Sequence, residues 1–189
     1  ACIIAPNHPS LLDAVMIISR VPHVACVMKA ELMQSILFGA GARLARFIRN
    51  DSLHAMVRRA VTEVCGGSHL LLFPEGTRTT RIPVNTLQGT SGLIAKYARA
   101  PVQTVFIETT DTGFLGKQSA LFRSTPMPVS YRIRLGKRFD PPKNVAAFAR
   151  ELEQYFKAEL TAAPLADRPA DTFDLERRPA RDLPHGASS

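Results

Sequence analysis

Short apolar runs recur along this chain with helix-patterned stretches between them, and that alternation limits its possible folds more than any other feature. The runs at 2–5, 24–29, 69–73 and 102–107 are almost continuously apolar, as strands buried on both faces are. Between them, Leu53, Met56, Val57, Ala60, Val61 and Val64 repeat at helical spacing, with Ser52 as a candidate N-cap and Gly66-Gly67 as a stop. Further helices are predicted over 31–39, over 90–98, and from an Asn144 cap through an apolar stripe ending at Leu160. Residues 43–49 read as a third strand or a helix end, and 111–128 as irregular. Residues 129–135 alternate with period two, which predicts a strand at the outer part of the sheet with Arg132 and Arg134 on its solvent side. The result is an α/β fold: a single domain, 1–161, with a mostly parallel central sheet and helices on both faces. Beyond it, 162–189 is rich in Pro, Ala and Arg and predicts a mobile tail.

Composition narrows the class without choosing a function. A chain of 189 residues buries enough core for one domain. No run approaches the roughly 20 apolar residues that cross a bilayer, and no signal-peptide pattern opens the chain. Since the sequence starts inside a strand-like run, Ala-Cys-Ile-Ile, further N-terminal residues are expected to precede it. Twenty-four basic residues against 16 acidic ones give a net charge of +8, which favours anionic partners: phosphate head groups, lipid surfaces, nucleic acid or acidic carrier proteins. Three widely spaced Cys (Cys2, Cys26, Cys65) fit buried, reduced thiols in a cytoplasmic setting.

Two turns carry the chemistry. Asn7-His8-Pro9-Ser10-Leu11-Leu12-Asp13 follows the first strand. Pro9 suits the first helical position and biases His8 out of it, so the helix is predicted to start at Pro9, with Asp13 one turn inside and leaning back to the imidazole. An imidazole held by a carboxylate is a general base, because the acceptor fixes its tautomer and stabilises the imidazolium. The plainer reading is a turn residue and a charge on the first helical turn. The second turn, Pro74-Glu75-Gly76-Thr77-Arg78, ends the strand at 69–73. There Arg78 offers a guanidinium fork for phosphate oxygens, Gly76 lets the backbone come close, and Thr77 can donate a hydroxyl hydrogen bond. For Arg78 the plain alternative is a surface ion pair, and for Glu75 a capping turn residue.

Together, His8-x-x-x-x-Asp13 and, about sixty residues on, Phe73-Pro74-Glu75-Gly76-Thr77-Arg78 resemble the glycerolipid acyltransferase family, of the 1-acylglycerol-3-phosphate acyltransferase type. The resemblance covers roughly residues 2–137. It implies a fold like that of glycerol-3-phosphate acyltransferase and transfer of a fatty acyl group to a lysophospholipid hydroxyl, with His8 as base, Asp13 orienting it, and no acyl-enzyme. It implies that Glu75 supports the acceptor site. No cofactor or metal is implied; acyl-CoA or acyl-carrier protein is the donor substrate. Membrane association at the cytoplasmic face, peripheral or through residues preceding the given sequence, follows as an expectation. For the oxyanion, backbone N–H groups near 9–11 are candidates.

Two further blocks depart from the family pattern. Where it has Gly-x-Phe-Ile-x-Arg, this chain has Ala45-Arg46-Phe47-Ile48-Arg49-Asn50, leaving Arg46 or Arg49 to hold phosphate. Where Val-Pro-x-x-Pro-Val is usual, Ala100-Pro101-Val102-Gln103-Thr104-Val105 has Thr104 in place of the second Pro. These changes keep open an acceptor with another head group, such as a lyso amino-acid lipid, and a non-catalytic lipid-binding relative. A nucleic-acid module is a third possibility for so basic a chain, but only three Tyr and no Trp are available for stacking. Gly89-Thr90-Ser91-Gly92 follows a polar loop and reads as a helix start instead of a nucleophile elbow. Cys65 and His69 lack a second pair for zinc, and no Gly-rich loop with Lys is present to cradle a nucleotide phosphate.

Overall fold

The computed structural model describes residues 1–10, 12–28, 46–49, 52–81, 83–109 and 131–162. Six strands form one sheet: β1 (Ile3–Pro6), β2 (Val24–Met28), β3 (Arg46–Arg49), β4 (His69–Leu71), β5 (Val102–Thr109) and β6 (Tyr131–Phe139). Their order is β3-β2-β4-β1-β5-β6, parallel throughout except for β6, which pairs antiparallel with β5. Among the described residues the helices are α1 (Asp13–Ile18), α2 (Leu53–Cys65), α3 (Thr90–Ala98) and α4 (Val145–Thr161).

Strand alternation divides the core in two. Ile3, Ala5, Val102 and Phe106 face α2, α3 and α4, and are buried with Met56, Ala60, Ile94, Phe148, Leu152 and Phe156. Cys2, Ile4, Val105 and Ile107 face the other way, onto Ala14 and Ile17 of α1. Both layers are covered, which is why the inner strands are apolar at most positions, with buried Gln103 and Thr104 of β5 among the exceptions. The predicted architecture is therefore present, with both faces of the sheet covered.

Details differ for local reasons. The first helix starts at Asp13 and not at Pro9, because Ser10 and Asp13 satisfy donors of the turn with their own side chains: Leu12 N–H donates to Ser10 Oγ (3.1 Å) and Ser10 N–H to Asp13 Oδ2 (2.8 Å). Strand β4 stops at Leu71, two residues early. Ser52 stands at the N-cap of α2 but makes no side-chain capping bond, whereas Asn144 Oδ1 does accept from Ala147 N–H (3.0 Å) at α4. Strand β6 runs on to Phe139, and its Arg face is not the solvent side that alternation suggested. Instead α4 covers it, with Arg134 stacked 4.0 Å over Phe106 and paired to Glu159 at 3.0 Å, while Tyr131, Ile133 and Leu135 pack toward the α1 layer. Cys65 is exposed, not buried. His69 faces Cys2 (Nδ1 to Sγ, 3.2 Å) instead.

Thr104, the departure in the fourth block, is fully buried in β5 and donates its hydroxyl to Lys137 O at 2.7 Å. Gln103 Nε2 donates to Gly136 O at 2.7 Å, so two side chains serve carbonyls where the β5–β6 register slips. A Cβ at Gly136 would fall on Phe106, Thr104 and Tyr155, which explains the residue there. The segments predicted at 31–39 and 111–128, all of the predicted 162–189 tail but Ala162, and Ala45 and Asn50, lie outside the described residues.

Candidate active site

In an open parallel sheet, the turns leaving the carboxyl ends of adjacent strands meet in one crevice. Strands β1 and β4 are hydrogen-bonded neighbours, so the His8 turn and the Pro74–Arg78 turn emerge side by side. The two turns are tied in both directions. His8 N–H donates to Glu75 Oε1 (3.1 Å), and Thr79 N–H donates to His8 O (2.7 Å). The His8 ring lies flat on Phe73, with centroids 3.9 Å apart and planes at 22°. On the other flank, Asn7 exchanges two bonds with the Ile107 backbone, Nδ2 to O at 2.8 Å and N–H to Oδ1 at 2.7 Å, continuing the β1–β5 ladder beyond the strand end.

The imidazole meets its carboxylate. His8 Nδ1 lies 2.9 Å from Asp13 Oδ2, with the His8 side chain 16% exposed and that of Asp13 fully buried. Burial raises the Asp13 carboxyl above its ordinary value, opposed by the hydrogen bond and charge of His8, the Ser10 N–H and the charge of Arg78. Its Oδ1 is buried without a hydrogen-bond partner among the described residues. All of the pairing therefore converges on Oδ2, which holds the ring and the turn together.

Glu75 is a brace inside the second turn. It is 3% exposed, with Oε1 accepting from His8 N–H and the Thr79 hydroxyl (2.7 Å), and Oε2 from Asn85 N–H (2.8 Å). Burial raises its carboxyl too, against these donors. Asn85 extends the brace: Oδ1 accepts from Thr80 N–H, Thr80 Oγ1 and Arg81 N–H, and Nδ2 donates to Arg78 O at 3.0 Å. Gly76 has φ +65, a left-handed conformation that L side chains rarely adopt, and a Cβ there would also have to displace the end of the Gln88 side chain. Thr77 and Arg78 are half-buried in this turn.

His8, Asp13 and residues 75–78 are thus brought to one place. The basic strand residues are not in that cluster. Arg49 ends β3 on the same side of the sheet, exposed and two strands beyond β4, about 10 Å at the usual strand spacing. Arg46 opens β3 at its amino end, away from the turns. Pro9 has no N–H and that of Ser10 is spent on Asp13, so the suggested oxyanion donors at 9–10 do not serve, and Leu11 lies outside the described residues. Among the described residues, no group of three His, Cys, Asp or Glu could hold a metal ion. Asn7, Ser10 and Phe73 fall inside the two sequence stretches without a role predicted for them, and Thr79, Asn85 and Tyr131 lie outside both and carry no local signal.

Residues 1–122 match the model of the family described as Acyltransferase. Among solved structures, the chain is similar to the 1-acyl-sn-glycerophosphate (LPA) acyltransferase PlsC of Thermotoga maritima, with TM-score 0.66 and 26% identity. That match covers 85% of this chain but 65% of the other, so the chain spans less than two thirds of the length of its structural relative. No curated protein matches it.

Proposed function

Since the chain belongs to the acyltransferase family, we propose that it transfers a fatty acyl group from acyl-CoA or acyl-carrier protein to the hydroxyl of a lysophospholipid such as 1-acyl-glycerol-3-phosphate. The observation that carries this reading is the 2.9 Å contact of His8 Nδ1 with the buried Asp13, in a turn bonded to the one bearing Arg78. With Nδ1 committed to Asp13, Nε2 of His8 is the basic nitrogen. It takes the proton of the acceptor hydroxyl as that oxygen bonds to the thioester carbonyl carbon. The tetrahedral intermediate then collapses, the C–S bond breaks, and the departing sulfur takes the proton back from His8. Asp13 stabilises the imidazolium between these two transfers. Arg78 anchors the anionic head group, and Arg49, at the same end of the sheet, is within reach of a longer head group.

A second acceptor remains in view. Asn50 stands where the family pattern has a phosphate-binding Arg, which favours a lysolipid with another head group, for example a lyso amino-acid lipid. The work surface is the cytoplasmic side of a membrane, supported by the insolubility of the acceptor and the net charge of +8. Among the described residues, no helix is long and apolar enough to cross one. The test is thioester consumption with a panel of lysolipids, wild type beside His8→Ala. Turnover abolished in His8→Ala, and ranked by head group in the wild type, supports both parts; undiminished turnover in the variant removes the base assignment. Liposome flotation with anionic lipid tests the surface, and protein left in the unbound fraction discards it.

A further inference from the structure

The turn that carries His8 is held from one more side, by a residue 121 positions away in sequence. Tyr131 is the first residue of β6 and pairs with Thr109, the last of β5, so it stands at the same end of the sheet as the two turns. Its hydroxyl lies 2.9 Å from Ser10 Oγ. Ser10 is 1% exposed and fully engaged: Oγ accepts from Leu12 N–H, and its own N–H donates to Asp13 Oδ2. Because Asp13 Oδ1 has no hydrogen-bond partner among the described residues, the carboxylate is directed there by the two donors on Oδ2, Ser10 N–H and His8 Nδ1. The N-cap of α1, Leu12, supplies no side-chain cap of its own.

We infer that Tyr131 is a positioning residue: through Ser10 it fixes the Asp13 carboxylate, and with it the tautomer and direction of the His8 ring. This rests on the reading of His8 as the base. Tyr131 touches no reacting atom. Its contribution is to stop the Ser10 turn from rotating away from the edge of β5 and β6, and the ring packs into the α1-side core whether or not the hydroxyl is present. The variant that isolates the hydrogen bond is therefore Tyr131→Phe, which keeps the packing and deletes only the hydroxyl.

The experiment compares Tyr131→Phe, Ser10→Ala, the double variant and His8→Ala in the thioester assay, with melting temperatures alongside. Each of the first two is expected to lower kcat about tenfold, since small misplacements of a reacting group carry costs of that order or more. KM for both substrates stays at the wild-type value, and the double variant falls no further than Ser10→Ala alone, which already removes the bond that Tyr131→Phe deletes. The ¹⁵N spectrum of the His8 imidazole reads the same pair without turnover: one neutral tautomer, protonated at Nδ1, in the wild type, and a mixture in Tyr131→Phe. A wild-type kcat and a single tautomer in Tyr131→Phe overturn the proposal, as do losses that add in the double variant. Because His8→Ala runs beside them, a silent Tyr131→Phe with a dead His8→Ala sinks only the clamp, whereas an active His8→Ala sinks the base.

Discussion

Asp13 and Glu75 are both buried carboxylates with raised pKa, yet they should answer to neutral replacement in opposite ways. Unfolded, the Asp13 carboxyl titrates near 3.8; folded, it holds its proton to higher pH because burial disfavours the charge. Ionised Asp13 thus costs stability at pH above its folded pKa, and the cost fades as pH falls through that value toward 3.8. Asp13→Asn keeps an oxygen for His8 Nδ1 and Ser10 N–H, and puts its amide nitrogen where Oδ1 has no partner. At pH 7 it should melt no lower than the wild type, with any advantage shrinking toward pH 4 in calorimetric scans, while kcat falls by about 10²–10⁴ for want of a charge opposite the imidazolium. A variant that melts well below the wild type at pH 7 would contradict this. Glu75 accepts three donors on two oxygens, so Glu75→Gln must point an N–H₂ at one of them; we expect a loss of about 1–3 kcal/mol in urea titrations. The meeting of His8 with Asp13 and of their turn with the Glu75 turn was legible in the sequence, because a carboxylate one turn inside a helix start can lean back to a strand-end His. Asn7, Asn85 and Tyr131 were not, since an amide or phenol becomes a brace only through what the fold puts beside it, here Ile107, Arg78 O and Ser10.

Among the elements, β6 shows where pattern reading fails. Its period-two alternation was legible, and so were the parallel strands, the bounds of α3 and the Asn144 cap, because each is written in neighbouring residues. Alternation identifies two faces but does not say which one another element will cover. Helix α4 settles on the Arg face, where Arg134 lies over Phe106 and reaches Glu159 at 3.0 Å and Glu108 at 3.7 Å. The start of α1 was misplaced for a related reason, as Ser10 and Asp13 compete with the helix for backbone donors. The Arg134 arrangement makes a quantitative contrast with a neighbour on the same strand. Arg134→Ala strips the cover from Phe106 and removes the cation that reaches both Glu159 and Glu108 from inside the α4 contact, a loss of about 3 kcal/mol. At roughly 2–4 °C per kcal/mol for a domain of this size, the melting point falls by about 6–12 °C. Lys137 is paired to Glu151 at 3.5 Å with both side chains more than half exposed, and Lys137→Ala should shift it by no more than about 2 °C. Equal shifts for the two would remove the packing account.

At the scale of the whole molecule, the neighbouring places of β1 and β4 in the sheet are what turn two distant motifs into one site, and the net charge of +8 gives the chain as a whole a long-range attraction for anions. A coenzyme A thioester and an acidic carrier protein are both anions, so the field should hasten encounter without touching the transfer itself. The screening length shrinks from about 30 Å at 0.01 M salt to about 10 Å at 0.1 M, which is enough to mute long-range attraction. It leaves the half-buried contact of His8 with Asp13 nearly unscreened. In the thioester assay, kcat/KM for the donor should therefore fall several-fold between 10 and 300 mM salt while kcat stays level. A fall in kcat would mean that salt reaches the chemistry, and a flat kcat/KM would mean that the surface charge plays no part in donor capture. A basic nucleic-acid module would part from both, with salt-sensitive binding to DNA or RNA and no thioester consumed at any ionic strength.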